Sequence, residues 1–450
     1  MEKQSTLMIE GSIGRKIIRF ALPVFWGNLF QQLYNVVDLL VVGNFVGSEA
    51  LAAVGSSGSL TFLLVGLVNG IFLGAGVVVS RYVGARDDEN VHTAVHTTVA
   101  FGLLAGIALS LVGVSITPTI LAWMGTPQNV MPTSILYLRI YFAGALANVM
   151  YNVSNGIFNA VGDSKHPLYY LILSSAINVL LDMLFVAVLG FGIAGAAWAT
   201  VISQAVSALL GLRRLCHVTD PWRLFPSRIR ISGKMLRQIL RMGVPSGMQN
   251  AIISLANVVV QSNINAFGSA AMAGCGAYSK IEGFGFLPIT SFAMAMATFI
   301  GQNLGAKQYE RAKKGARFGI LCCVMLAEMV GIGINLLSPY LIRAFDTNPE
   351  VIRIGVTQAK TITLFYFLLA FSHSVAGILR GAGKSIVPMF VMLACWCVIR
   401  ITYLLVTVPL FPDIRTIFWA YPFTWSLSSI CFLAYYLKAD WLHGYEKSRK

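Results

Sequence analysis

Long apolar runs recur along the whole chain and constrain its fold more than any other feature. Of the 450 residues, 56% are hydrophobic and only 11% are charged, whereas soluble domains carry about 25% charged residues. A helix of about 20 apolar residues crosses the hydrocarbon core of a bilayer, and helices satisfy their own backbone hydrogen bonds there. The sequence therefore predicts an all-α polytopic membrane protein.

Turn residues and charges divide the chain into twelve predicted membrane spans. The first six lie near residues 17–43, 52–80, 92–116, 133–160, 167–190 and 193–215. The second six lie near residues 236–266, 272–302, 313–337, 353–379, 385–408 and 415–437.

Lys and Arg concentrate at the termini and in alternate loops, while the intervening loops carry only Arg343 and Arg415. The positive-inside rule then predicts that both termini are cytoplasmic. We expect a multi-pass protein of the cell inner (plasma) membrane that works as a monomer among lipids. Its net charge of +15 follows from this topology, so no nucleic-acid partner is predicted.

The two halves of the chain resemble each other at a shift of 221 residues. Glycine, proline and tryptophan coincide at that shift in Gly47/Gly268, Gly84/Gly305, Pro167/Pro388 and Trp198/Trp419. Six spans per half make the repeat a parallel one. We predict an N-terminal six-helix lobe over 1–212, a basic cytoplasmic linker over 213–237 and a C-terminal six-helix lobe over 238–450.

Asp38 interrupts the first apolar run, and Asp182 is the only acid of the fifth. A carboxylate at bilayer depth costs about 2.5–3.5 kcal/mol and faces a partner or a cavity. Two carboxylates gathered in one lobe of low dielectric cannot both stay ionised cheaply. They are therefore candidates for binding a proton or, with amide and hydroxyl oxygens, Na⁺. The alternative is that each aspartate only hydrogen-bonds a neighbouring helix.

Other polar residues within the spans are candidates for lining a substrate cavity, because polar side chains avoid lipid. These candidates are Gln31, Asn35, Tyr137, Asn152, Asn155, Asn250, Asn257, Gln261, Glu282 and Arg400. Glu282 is expected to pair with Arg400 or Lys280, since buried charges are usually paired.

No catalytic site is predicted. The chain contains neither H-E-x-x-H nor G-x-S-x-G, so an intramembrane enzyme is disfavoured. The seven cysteines lie mostly in apolar runs, as buried hydrophobic residues do. His92 and His96 are one helical turn apart, but no third metal ligand is near in sequence. No cofactor is expected, and no metal other than Na⁺ at Asp38 and Asp182.

Several motifs resemble those of the multidrug and toxic compound extrusion (MATE) transporters. They are A-L-P at 21–23, Y-x3-D at 34–38, G-D-S-K-H-P at 162–167, Y-S-K-I-E-G-F-G-F-L-P at 278–288, F-I-G-Q-N-L-G-A at 299–306 and G-A-G-K-S at 381–385. Within that family, the pattern is most similar to prokaryotic members with a paired-acid site in the N-terminal lobe.

This resemblance implies a fold of two six-helix bundles forming a V. It also implies alternating-access export of cationic or amphipathic organic compounds, driven by H⁺ or Na⁺. The cation-site residues of the family correspond to Tyr34, Asp38, Asn178, Asp182 and Thr200. Span seven lacks the acid that some family members use for Na⁺, which argues against coordination of that type.

An alternative cargo stays open: a flippase or exporter of a lipid-linked or anionic metabolite on a related two-lobe fold. Such proteins often carry a strongly basic central cavity. Here the cations within the spans are few and are accompanied by several acids, so anionic cargo is less favoured.

Overall fold

A computed structural model of the chain describes residues 7–123, 126, 128 and 130–443, with side chains described throughout these ranges except at 39 and 48–65. Within this part of the chain every regular element is helical. The predicted all-α class is thereby confirmed.

The first half of the chain forms seven helices that build six rods. They are α1 (Ile13–Phe45), α2 (Ser48–Gly84), α3 (Asp88–Trp123), α4 (Met131–Ala143), α5 (Ala145–Ala160), α6 (Lys165–Asp182) and α7 (Gly192–His217). Helices α4 and α5 form one rod bent by 46°. Helix α6 continues into a π-helical turn at Met183–Val188.

The second half repeats this pattern with eight helices in six rods. They are α8 (Gly233–Asn265), α9 (Ser269–Gly305), α10 (Tyr309–Arg343), α11 (Pro349–Ile362), α12 (Tyr366–Gly381), α13 (Ile386–Met392), α14 (Arg400–Leu410) and α15 (Ile414–Lys438). A 3₁₀ turn at Thr363–Phe365 joins α11 to α12, and a π-helical segment at Leu393–Ile399 joins α13 to α14.

Nine of these rods, counted over the described residues, are long and apolar enough to cross a membrane, and the bent α4–α5 rod makes ten. The polytopic class predicted from the sequence is confirmed. Helices α1 and α8 are outside this set, although each has 33 residues. Both helices contain several Asn and Gln residues within their apolar sequence, as expected of helices that contribute polar faces.

The backbone conformation shows the same internal repeat as the sequence. Residues with positive φ recur in matching turns at the 221-residue shift, and the pairs are Gly47/Gly268, Arg86/Lys307 and Gly162/Gly383. Glycine suits such positions because it has no Cβ to clash. The coinciding glycines of the sequence therefore mark equivalent turns.

The chain divides into two compact units whose boundaries lie inside α1 and α8. The N-terminal unit contains Trp26–Gly247, and the C-terminal unit contains Met8–Phe25 together with residues 248–443. Each boundary follows two residues after a helix-interior proline, Pro23 or Pro245, where one helical hydrogen bond is missing. The predicted lobe limits at 212 and 238 describe the repeats and stay a prediction.

The segment that precedes α1 is held in the C-terminal unit by hydrogen bonds to α9 and α10. The backbone N–H of Met8 donates to Gln302 Oε1 at 2.7 Å. Arg311 Nη2 donates to the carbonyls of Met8 and Glu10 at 3.1 and 3.2 Å. Gln302 belongs to the F-I-G-Q-N-L-G-A motif, so part of that motif anchors the chain's beginning.

The linker is held in the N-terminal unit by a stacked histidine pair on α3. The rings of His92 and His96 lie 3.9 Å apart. His96 Nδ1 donates to the carbonyl of His92 at 2.8 Å, while its Nε2 accepts the Phe225 N–H at 3.0 Å. His96 thus uses both ring nitrogens to dock the linker, and the described residues contain no cluster of three metal-binding side chains.

Helices α2 and α8 cross within the N-terminal unit with no side chain between their backbones. A Cβ added to Gly70 would lie 2.2 Å from Gly247 Cα, and one added to Gly74 would lie 2.3 Å from Gly243 Cα. Small residues spaced four apart allow such close approach of membrane helices. This crossing fixes the first half of α8 in the N-terminal unit.

We expect Gly70→Ala to destabilise the protein, because its methyl group would overlap the Gly247 backbone and overpacking costs about 1–3 kcal/mol. Thermal unfolding of the purified protein in detergent would measure this as a lowered midpoint. Gly276→Ala is the matched control, since a Cβ there meets nothing within 4 Å. Equal midpoints for the two variants would contradict the tight crossing.

Candidate functional site

The structure brings Asp38 of α1 and Asp182 of α6 together inside the N-terminal unit. Their carboxyl groups lie close enough to interact directly, and Asp182 is fully buried. The pair is joined by a side-chain hydrogen bond between α1 and α6. Apart from this contact, Asp38 Oδ1 and both Asp182 oxygens are enclosed and have no hydrogen-bond partner.

Asn178 and Thr200 differ in whether their polar atoms already have hydrogen-bond partners. Asn178 lies one turn before Asp182, is 1% exposed, and has no partner for either amide atom. The hydroxyl of Thr200 donates to the Ala196 carbonyl of its own helix at 3.1 Å. The Asn178 amide can therefore contact a cation without losing a hydrogen bond. The Thr200 side chain would first have to break its bond to the Ala196 carbonyl.

The helix carrying Asp182 changes its winding at that residue. The π-helical turn starts at Met183, directly after the aspartate. π-turns insert one residue into the helical repeat and occur frequently at functional sites. This break is not visible in the sequence, because the 183–188 segment contains neither proline nor glycine.

Tyrosine side chains surround the acid pair. Tyr34 and Tyr137, both predicted, interact electrostatically with Asp38 and Asp182. Tyr141, which sequence reasoning missed, stacks on Tyr137 with ring centroids 6.4 Å apart and bonds Gln204. Its spacing of one helical turn from Tyr137 was the available signal. The acids therefore sit among hydroxyl-bearing rings within a largely apolar unit.

This arrangement presents oxygen atoms that lack partners in an environment of low dielectric. Such oxygens can take up a proton, or serve as ligands for a hard cation such as Na⁺. The described residues hold no group of three or more metal-binding His, Cys, Asp or Glu side chains. A cation here would thus depend on two carboxylates supplemented by amide, hydroxyl or backbone oxygens.

A second buried polar cluster lies in the C-terminal unit around Arg400, which is 2% exposed. Its Nε and Nη2 donate to Thr424 Oγ1 at 3.1 and 2.7 Å. The guanidinium also lies over the Tyr421 ring, 4.7 Å from its centroid, and 5.5 Å from that of Trp396. Aromatic faces and one hydroxyl thus accommodate the charge.

Glu282 lies in the same unit and is bonded by a tyrosine. Tyr278 donates to Glu282 Oε1 at 3.3 Å, and its hydroxyl is 3.1 Å from that of Tyr366. Glu282 interacts with Arg400 electrostatically, while Lys280 is exposed. No ion pair of Glu282 is found among the described residues, so the expected direct pairing is replaced by a longer-range one.

The remaining cavity candidates bond mainly within their own helices or are exposed. Asn152 donates to the Asn148 carbonyl at 2.8 Å, and Asn155 accepts from Asn159 at 2.9 Å. Gln261 donates to Asn265 at 2.8 Å. Asn250 is half-buried, and the exposed candidates are Gln31, Asn35, Asn257 and Gln261. Their assignment to a substrate cavity stays a prediction.

We expect Thr424→Val to destabilise the C-terminal unit, because it removes the hydroxyl to which both Nε and Nη2 of Arg400 donate. A hydrogen bond to a charged group contributes about 1.5–3 kcal/mol. The midpoint of thermal unfolding in detergent would report the loss. Thr402→Val is the control, since that exposed hydroxyl bonds only the Val398 carbonyl of its own helix. An unchanged midpoint in Thr424→Val would show that Arg400 is held otherwise.

A duplicated bundle of membrane helices with a buried carboxyl pair has the architecture of a secondary transporter. The MatE family model matches residues 23–184 and 245–406. The chain therefore belongs to the MatE family, and it is a membrane transporter rather than an enzyme. The two matched segments begin at Pro23 and Pro245, in agreement with the internal repeat.

Relatives and solved structures agree with this assignment. The chain is 31% identical over 394 residues to a protein called probable multidrug resistance protein YoeA of Bacillus subtilis, covering 86% of this chain and 85% of that one. It is 24% identical to a FAD transporter of Shewanella oneidensis, with 77% of each covered. A solved outward-facing multidrug resistance MATE family transporter superposes with a TM-score of 0.91 at 24% identity, covering 98% of this chain and 99% of that one.

Proposed function

We propose that this transporter exports cationic or amphipathic organic compounds by alternating access, in exchange for H⁺ or Na⁺ entering the cell. The observation that carries the proposal is the Asp38–Asp182 pair, which lies in the N-terminal unit with three enclosed carboxyl oxygens that have no hydrogen-bond partner outside the pair. Several relatives are named multidrug resistance or multidrug export proteins. A transporter that couples ion entry to drug export agrees with the buried acid pair and with the names of these relatives.

The coupling follows from the cost of charge in a low dielectric. A proton or Na⁺ at the pair neutralises it, which favours close packing of α1 against α6. A cationic substrate is attracted to the ionised pair and disfavoured by the neutralised one. Because the two occupants oppose each other at one site, a gradient of the inorganic ion drives export of the organic one.

The neighbours of the pair take supporting roles in this scheme. Asn178 and Thr200 supply further oxygen ligands for Na⁺, and Tyr34 and Tyr137 orient the carboxyls. Polar residues of α1, α5 and α8, with Glu282 and Arg400, contact the substrate as it passes. We place the protein in the plasma membrane as a monomer with cytoplasmic termini, in accordance with the Lys and Arg distribution.

We expect Asp38→Asn and Asp182→Asn each to abolish ion-driven efflux, since either amide removes a negative charge that must be neutralised. The purified protein is reconstituted into vesicles loaded with a fluorescent organic cation. Efflux is then followed under a proton gradient alone and a sodium gradient alone, which identifies the coupling ion. The wild type should respond to at least one gradient and the two variants to neither.

The matched control is Asp220→Asn, an exposed aspartate of the linker, which should transport as the wild type does. Gradient-driven efflux at the wild-type rate in Asp38→Asn would remove the pair from the mechanism. Wild-type protein that moves no cation under either gradient would reject the proposed substrate class.

A second candidate function is export of an anionic metabolite, and one finding favours it: the similarity to a FAD transporter. The buried Arg400 provides a cation that such cargo needs. Flipping of a lipid-linked anion on the same two-lobe plan belongs to this candidate. Uptake of labelled FAD by the same vesicles, lost in Arg400→Gln and kept in Asp38→Asn, would favour this candidate over cation export.

A further inference from the structure

Arg380, in the last turn of α12, is a second buried cation of the C-terminal unit. It is 9% exposed. Its Nη1 donates to Gln249 Oε1 at 3.2 Å, but its Nε is enclosed and has no acceptor. Among the described ionisable groups, only His373 interacts with it electrostatically. Within the described part of the chain no ion pair to a carboxylate involves Arg380, and burial of an uncompensated ion is unfavourable.

His373 supplies a second polar atom without a partner. It precedes Arg380 by seven residues on α12, and its Nε2 is enclosed and unbonded. The imidazole lies close enough to the guanidinium of Arg380 for the two groups to interact electrostatically. The imidazole ring rests edge-on against Trp396 at 5.6 Å and Phe286 at 6.1 Å between centroids, which holds its orientation.

Gln249 of α8 completes the group with a weakly bonded amide. Its Nε2 donates to Met392 Sδ at 2.9 Å, and a thioether sulfur is a poor acceptor. The side chain is 3% exposed. An anion placed here would offer a better acceptor to Gln249 Nε2, to Arg380 Nε and to the Nε2–H tautomer of His373.

The other repeat shows that the fold itself does not need a cation at this position. At the 221-residue shift, Asn159 and Asn152 stand where Arg380 and His373 stand. Asn159 donates to Asn155 at 2.9 Å and Asn152 donates to the Asn148 carbonyl at 2.8 Å. These neutral amides find acceptors on their own helix. The unbalanced charge is therefore a property of the C-terminal unit alone.

We propose that the C-terminal unit binds one small monovalent anion of halide size between Arg380, His373 and Gln249. Water would satisfy the free N–H groups but would leave the guanidinium charge uncompensated. A single guanidinium beside a neutral imidazole balances one negative charge. The site is distinct from the Asp38–Asp182 pair, and this proposal does not depend on cation export.

The test uses the purified full chain in detergent with gluconate as the only anion. Chloride then replaces gluconate at constant ionic strength, and the midpoint of thermal unfolding is recorded. Binding to the folded state alone raises stability with ligand concentration. The wild type should show a saturating rise in midpoint, and Arg380→Gln should show none. Arg343→Gln removes the same charge from an exposed position and should keep the rise.

If Arg380→Gln does not fold, Arg380→Lys is tested instead, because it keeps the charge but loses the planar guanidinium. Its rise should require more chloride than the wild type does. Crystals of the wild type soaked in bromide should give an anomalous peak beside Arg380. A chloride-independent wild-type midpoint, an undiminished rise in Arg380→Gln, or bromide-soaked crystals with no peak there would each overturn the proposal.

Discussion

The structure depends on one constraint: a hydrocarbon environment offers no hydrogen bonds, so polar groups must be satisfied inside the protein. The backbone meets this constraint by forming long helices. Side chains meet it by bonding across helices, as Ser372 of α12 does with Ser428 and Ser429 of α15 at 3.0 and 3.1 Å. Large apolar side chains such as Leu180 and Leu209 face outward instead. Against this background, polar atoms left without partners inside a unit are informative.

Two of these groups lie in different units and carry opposite charges. In the N-terminal unit, Asp38 Oδ1 and both Asp182 oxygens have no hydrogen-bond partner outside the pair, whereas Arg380 Nε of the C-terminal unit has no acceptor. At the 221-residue shift, Arg380 corresponds to the neutral Asn159. The two repeats therefore share a helical frame but differ in the charges that they bury.

Much of this could be predicted from the sequence, because its signals act over long stretches. Apolar runs predicted the helices, coinciding glycines such as Gly47 and Gly268 predicted the repeat, and isolated acids such as Asp38 predicted a buried charge. Local departures from regular helix were not predictable in this way. The π-turn after Asp182 and the contact between the Tyr278 and Tyr366 hydroxyls depend on packing that leaves no periodic trace in the sequence.

The unit boundaries inside α1 and α8 mean that the two compact units do not coincide with the two sequence repeats. Residues 8–25 complete the C-terminal unit, and the first half of α8 completes the N-terminal one. Each unit therefore takes the first half of one long helix from the other repeat, as each subunit of a reciprocally swapped dimer takes an element from its partner. Neither repeat, taken by itself along the chain, contains all the segments of one compact unit.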